Sequence, residues 1–287
     1  MLHVRPIETV DHEAAHKIVI AADPFTWSQP NHWLLRTLKP HFKVAVAETE
    51  ERRLLGVSMW TDKDPSACCV WVAPPDQRRG VGRALAAQVE QQQGNRSATC
   101  NIFSADPRGI TFAEAQGFSV EPFRGGELVV TFVLEFSSLR LEVGSSTSPR
   151  VAPLDAYVDR LYSLALAFKR DQVDDEGVPT DTPEDFRQFC EGLRPGSSLC
   201  LLDEADQPIG FTLVQQRGSV AYTAATFIAP VHRRRGLARS LKVASFRASS
   251  KWATWAQTDC KRGNEPIVSL NRSLGMREAQ WLSGTRS

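Results

Sequence analysis

Hydrophobic positions along the chain switch between a period of two and a period near 3.6, and each switch marks an element. Leu2–Arg5 reads as a strand, followed by a helix over His12–Ala22 and a second over Ser28–Leu38. Phe42–Glu48 and Leu54–Trp60 read as strands joined by a charged turn, and the short apolar run Ala67–Val72 as a third. Val81, Leu85 and Val89 then fall on one face of a helix. Ala98–Phe103 is the next strand, leading to a short helix that stops at Gly117. Glu127–Glu142, rich in Val, Phe and Leu, reads as one or two further strands.

The stretch Gly144-Ser-Ser-Thr-Ser-Pro149 has the composition of a linker. After it, Leu154, Tyr157, Val158, Leu161, Leu164, Ala165 and Phe168 recur at three and four, which predicts an amphipathic helix. Thr182-Pro-Glu-Asp185 supplies an N-cap, a proline for the first turn and acids near the positive end of a dipole. The helix it opens turns Phe186, Phe189 and Cys190 inward. Strands follow at Ser198–Leu202, Ile209–Gln216 and Val220–Ile228, then a helix bearing Leu237, Leu241, Ala244 and Ala248. A strand over Lys251–Gln257 and a short helix ending at Gly275 complete the half. The residues after Met276 leave room for one short strand, so this sheet is either truncated or completed by the other domain. Strands alternating with helices indicate an α/β fold with mixed sheets.

The two halves repeat each other. Val70-Trp-Val-Ala-Pro-Pro-Asp-Gln-Arg-Arg-Gly-Val-Gly82 matches Thr226-Phe-Ile-Ala-Pro-Val-His-Arg-Arg-Arg-Gly-Leu-Ala238, with Pro74 on Pro230 and Gly80 on Gly236 at an offset of 156. A second anchor, Gln116-Gly-Phe118 on Leu274-Gly-Met276, lies at an offset of 158. Two motifs at nearly one offset mark two related domains, 1–142 and 150–287.

The repeated segment has a specific physical use. A strand ends, the backbone turns at glycine, and a helix begins whose first amides have no internal partner. Those amides and the helix dipole suit a pyrophosphate. Arginines around Gly80 and Gly236 add charge for further phosphates. The spacing is neither a P-loop nor a dinucleotide fingerprint. Pro-x-x-Gln/Arg-x-x-Gly-x-Gly/Ala after a strand resembles the acyl-CoA pyrophosphate motif of the GNAT superfamily of N-acetyltransferases. Gln-Gly-Phe and Leu-Gly-Met resemble the helix-to-strand ending of that family. The resemblance spans the chain as two tandem domains, similar to mycothiol synthase and other bacterial tandem GNAT proteins.

The resemblance implies acetyl-CoA as cosubstrate, an amine of a small molecule as acceptor, and direct attack on the thioester. It places Val72, Gln77, Arg78, Arg79, Gly80, Val81, Gly82 and Arg83 against the coenzyme in the first domain. In the second it places Phe227, Ile228, Ala229, Arg233, Arg234, Arg235, Gly236, Leu237, Ala238, Arg239 and Asn264 there. In that family a tyrosine seven residues after the asparagine often protonates the leaving thiolate. Here that place holds Asn271, and in the first domain Ala113; Asp106 replaces the asparagine. The second domain is therefore expected to catalyse, and the first to be structural or to bind without turnover.

Candidates for proton transfer remain open between chemistry and structure. Tyr222, on the strand before the motif, is either a packing residue or a thiolate donor. Asp174, Asp175 and Glu176 form either a solvated acidic loop or an acceptor site with Asp175 as base. Asp259 is either a turn residue or a base beside the cleft. Cys260 is a semi-buried thiol or, with no histidine close by to activate it, a poor nucleophile. His232, before three arginines, either caps or flanks the phosphates or serves as a general base.

Composition narrows the classes. The 287 residues hold 34 Lys plus Arg against 33 Asp plus Glu, so no broad basic field exists for nucleic acid. No stacking aromatics interleave the arginine clusters. No apolar run reaches membrane-spanning length and the first residues do not form a signal peptide. The six cysteines form no CxxC pair and show no zinc spacing, which points to reduced thiols in the cytoplasm and to no metal. The alternative to catalysis is a non-catalytic acyl-CoA-binding protein. The acceptor, the acyl chain and the oligomeric state are not encoded in any of these patterns.

Overall fold

The computed structural model describes residues 2–23, 25, 42–61, 68–93, 98–104, 107–122, 129–139, 150–171 and 178–286. The helix expected over Ser28–Leu38, the linker, Asp106 and the acidic loop with Asp175 lie outside these residues. The chain divides into two compact units, Met1–Glu127 with Ala279–Ser287, and Leu128–Glu278.

In unit 1, β1 (His3–Pro6), β2 (Phe42–Glu48), β3 (Leu54–Thr61) and β4 (Cys69–Val72) form an antiparallel sheet in chain order. Helix α1 (His12–Ala22) buries Ala15, Ile18 and Val19 on one face of it, against Val44, Val46, Val57, Met59 and Trp71. Helix α2 (Val81–Gln93) buries Val81 and Leu85 on the other face, against Ala47 and Leu55. β5 (Ala98–Phe103) and β6 (Ser119–Pro122) flank β14 (Trp281–Arg286) in a second sheet, under α3 (Pro107–Ala115).

Unit 2 is one seven-stranded sheet between two layers of helices. Its order is β13 (Arg277–Ala279), β7 (Val129–Glu135), β12 (Trp255–Lys261), β11 (Val220–Ile228), β10 (Pro208–Arg217), β9 (Leu199–Leu202) and β8 (Arg150–Pro153). Helices α4 (Val158–Asp171) and α5 (Pro183–Glu191) cover one face, where Phe168, Phe211 and Phe227 meet ring to ring. Helices α6 (Leu237–Ser249) and α7 (Glu265–Ser273) cover the other, packing Val243, Phe246 and Val268 on Phe132, Leu134 and Ala256. Thr182 caps α5 in a reciprocal box with Asp185, as its sequence implies.

Three differences from the sequence reading matter for the site. The strand expected over Lys251–Gln257 runs over Trp255–Lys261, because the amides of Trp252 and Ala253 fold back onto Ser249 O and delay its start. Asp259 and Cys260 therefore lie within β12. The tail forms two strands: β13 pairs with β7 in unit 2, while β14 joins β5 and β6 in unit 1. The compact units also depart from a division at 142/150, since β7 belongs to unit 2 and the last residues to unit 1. Among the described residues no helix is long and apolar enough to cross a membrane, and no cluster of His, Cys, Asp or Glu is suited to a metal.

Candidate functional site

The glycine segments fold alike in both units. After β4 and after β11 the chain makes a single 3-10 turn, Pro74–Asp76 and Pro230–His232. Then φ turns positive at Arg78 (64°) and Gly80 (86°), and at Arg234 (60°) and Gly236 (74°). A left-handed arginine costs about 1 kcal/mol, and both units carry that strain at the same place. Such alternation curls successive amides inward into an anion-binding concavity. In unit 2 the first amide after Arg233 to reach a backbone carbonyl is that of Ser240, on Gly236 O. In unit 1 the first after Gln77 is that of Ala84, on Gly80 O. No atom lies within 4 Å of where a Cβ would stand on either glycine.

The Gln/Arg position of the motif braces this loop. Gln77 Nε2 donates to Val72 O (3.2 Å), and Arg233 Nε donates to Ile228 O (2.9 Å). Both carbonyls end the strand before the turn. Arg233 also lies over the Phe227 ring and pairs with Asp171. Leu237 and Val81 are buried beneath their helix starts, while Arg235 and Arg239, and Arg79 and Arg83, remain exposed.

The loops differ in charge. Asp76 of unit 1 is buried and takes Arg53 through both oxygens (2.7 and 3.0 Å) and Arg79 at 3.1 Å. The Arg53 hydrogen bonds hold its carboxyl below the ordinary range. His232 occupies the equivalent place in unit 2, so that loop carries no buried carboxylate and leaves Arg235 without an ion pair among the described residues.

Unit 2 also has an opening in its sheet. β11 pairs in parallel with β12 only from Val220 to Thr223, opposite Trp255 to Thr258. Beyond that point β11 stays on β10 to Ile228, and β12 stays on β7 to Lys261. Thr258 Oγ1 donates to Thr223 O at the last shared rung (3.0 Å). A bulge follows at once, since Leu213 faces Ala225 while Val214 faces Thr223. Bulges re-aim strands beside sites. The free edge from Ala224 to Ile228 is about 13 Å long at the usual rise per residue and leads straight to the glycine turn.

Polar groups gather at the apex of this opening. On the face of α4 and α5, Tyr222 OH donates to Asp259 Oδ2 (3.1 Å), and Thr131 Oγ1 donates to Oδ1 (2.6 Å). Burial and the Asp259 charge push the Tyr222 hydroxyl up to about 12. Arg217 lies over the Tyr222 ring, and Gln257 Oε1 is buried there without a partner among the described residues. Two of the three residues proposed for proton transfer thus meet; Asp175 lies outside the described residues. On the opposite face, Lys242 is 1% exposed and donates to Asn271 Oδ1 (2.6 Å). Burial pulls it down to about 8. Burial raises the Cys260 thiol, which removes it as a ready nucleophile. Asn264 caps α7 without a side-chain hydrogen bond and is exposed. Sequence reading missed Thr131, Gln257 and Lys242. None of the three left a local signal: Lys242 follows Leu241 but lies off the face formed by Leu237, Leu241, Ala244 and Ala248.

No protein-family model and no curated protein matches the chain. Solved structures do. An acetyltransferase from the GNAT family of Colwellia psychrerythraea superposes with a TM-score of 0.50 at 10% identity, covering 99% of this chain and 100% of that one. The fold is that of the GNAT acetyltransferases. A tandem GNAT protein from the clavulanic acid biosynthesis pathway aligns over 100% of this chain and 98% of its own, at 18% identity and a TM-score of 0.44. A GCN5-related N-acetyltransferase from Sphaerobacter thermophilus covers 99% and 95%, at 13% identity and a TM-score of 0.44. Within the GNAT fold, unit 2 combines the split between β11 and β12 with the turn at Gly236.

Proposed function

We propose that the protein is an acyl-CoA-dependent N-acyltransferase, taking acetyl-CoA as donor and a small-molecule amine as acceptor, with unit 2 as the catalytic half. The observation that carries this reading is the continuity of the unpaired β11 edge with the amide cradle at Arg234–Gly236. The residues suit such a donor. The cradle and Arg235 and Arg239 meet the phosphates, and the free strand edge meets the amides of the pantetheine arm. Asn264, at the start of α7, faces the same ligand. Acetyl-CoA supplies a thioester, whose acyl carbon is open to an amine.

The rest is done by side chains of this chain. Asp259 has no basic partner among the described residues and accepts from two hydroxyls, so it anchors an ammonium and takes its proton. Tyr222 keeps its own proton at working pH and fixes the carboxylate. Free amides of β11 beyond Thr223 steady the oxyanion. Unit 1 keeps the cradle, but Asp76 spends Arg79 and sets a carboxylate beneath the anion site. We therefore assign it a structural role. The reduced thiols fit a cytoplasmic setting.

Thiol release from acetyl-CoA over a panel of primary amines and polyamines tests the assignment. Gly236→Glu is expected to abolish turnover, and Gly80→Glu to leave at least half of it. Loss only in Gly80→Glu would reverse the roles of the units. Binding of the donor without release, over the whole panel, would favour the non-catalytic alternative.

A further inference from the structure

The face of the unit 2 sheet that meets α4 and α5 changes character part-way along its strands. On β10 and β11 it presents Phe211, Leu213, Ala225 and Phe227 to the core. Past the bulge at Leu213 and Val214 it turns polar across four strands. Gln215 faces Tyr222, Tyr222 faces Gln257, Asp259 faces Thr131, and Arg217 follows Gln215 by two, so all six share this face. It is not an open, solvated surface, since Gln257 is 6% exposed and the other five are half-buried. Two opposite charges stand in it unpaired. Asp259 accepts from the Tyr222 and Thr131 hydroxyls and meets no cation among the described residues. Arg217 meets no carboxylate among them. Its guanidinium carbon lies 3.3 Å from the Tyr222 ring centroid, and its Nε is buried without an acceptor among the described residues. Its Nη2 reaches Gln215 Oε1 only at 3.5 Å, the long limit of a hydrogen bond. Tyr222 holds the two charges apart, one over its ring and the other at its hydroxyl. Stacking on a ring leaves the edge of a guanidinium open, and that edge matches a carboxylate.

We propose that the acceptor is an amine carrying its own carboxylate, an amino acid in chemical class, and that Arg217 is the residue that selects it; this rests on the acyltransferase reading above. The ammonium seats on Asp259 and the carboxylate of the same molecule takes the free edge of Arg217. Each charge of the acceptor thus finds the opposite charge that the face leaves unpaired. Tyr222, bound to both, sets the spacing between the two ends. A polyamine would bring a second cation against Arg217, and that repulsion discriminates against it. Arg217 and Tyr222 only hold the acceptor, and neither gains nor loses a proton in the transfer.

The test compares matched amines. Thiol release from acetyl-CoA by the full chain is measured with glycine, β-alanine and 4-aminobutanoate, each against its own carboxamide, and with spermidine. The wild type is expected to favour at least one acid over its amide by about tenfold or more in kcat/KM, mainly through KM, and to use spermidine less well than that acid. Arg217→Leu is expected to bring the acid-to-amide ratio within about threefold of one, and Arg217→Lys to keep part of it, as a charge without the planar fork. The wild-type ratio carries the test alone if Arg217→Leu fails to fold. 2-Aminoethyl phosphate against ethanolamine separates the acidic groups, and a preference confined to that pair overturns the carboxylate. An acid-to-amide ratio near one in the wild type, or one that Arg217→Leu leaves in place, overturns the proposal, while thiol release with any of these amines keeps the acyltransferase reading standing. Absence of release with every amine removes both.

Discussion

At the residue scale, a lysine sealed from water must shed either its hydration or its charge, and Lys242 sits between the two. Burial lowers it from 10.5 to about 8, so below that value the folded state carries a proton it holds weakly. The unfolded chain binds more protons than the folded one between about 8 and 10.5. Stability must rise with pH across that window. The full penalty, present below the window, is about 3 kcal/mol at 1.36 kcal/mol per unit. Denaturant unfolding of unit 2 is therefore expected to show wild type gaining on Lys242→Met as pH climbs from 8 towards 10.5; parallel curves would mean that Lys242 is hydrated. Burial of this kind was scarcely legible beforehand. Lysines on helices usually snorkel to water, and nothing in the spacing told that α7 would cover this one. Tyr222 and Asp259 were legible as separate candidates. Their hydrogen bond was not, because it depends on where β12 begins, and the expected start at Lys251 had ended the strand before Asp259.

At the scale of elements, the strand–turn–helix of each unit was readable almost residue for residue. β2, β5 and β11 occupy the spans their patterns imply, and α1 does too. Their apolar runs are bounded by turn residues, so local chemistry decides their ends. β8 escaped notice because Arg150–Pro153 is short and ends in proline; it exists through its pairing with β9. The two glycine turns share backbone and differ in support, and this has a consequence in acid. Hydrogen bonds from Arg5 hold Asp11 and Glu48 below their ordinary values, and Arg53 does the same for Asp76. All three belong to unit 1. A lowered carboxylate gives stability that is full above its ordinary value, 3.8 for Asp or 4.5 for Glu, and is lost as pH falls through its folded value. Unit 1 is expected to unfold at lower urea at pH 3 than at pH 6, by amide exchange across α1 and β2. An unchanged midpoint would show that these pairs contribute nothing.

At the scale of the molecule, each unit borrows a strand. β7 comes early in the chain and completes the sheet of unit 2 beside β12, over a register from Val129 to Glu135. β14 comes last and fills the gap between β5 and β6 of unit 1. The sequence showed that the second half was short of strands but not which strand would fill the place, since pairing across so long a separation leaves no local mark. A chain stopped after Glu278 is expected to lose protection of β5 and β6 to proteolysis while unit 2 keeps its transition. Loss of unit 2 instead would mean that the strands are not exchanged. The central claim is narrower: one cradle of amides, at Gly236, holds the diphosphate of the donor. Calorimetric titration of the full chain with coenzyme A measures it most directly, on wild type, Gly236→Glu and Gly80→Glu. One site per chain is expected, absent in Gly236→Glu and intact in Gly80→Glu. Binding that survives Gly236→Glu, or that disappears with Gly80→Glu alone, contradicts the account.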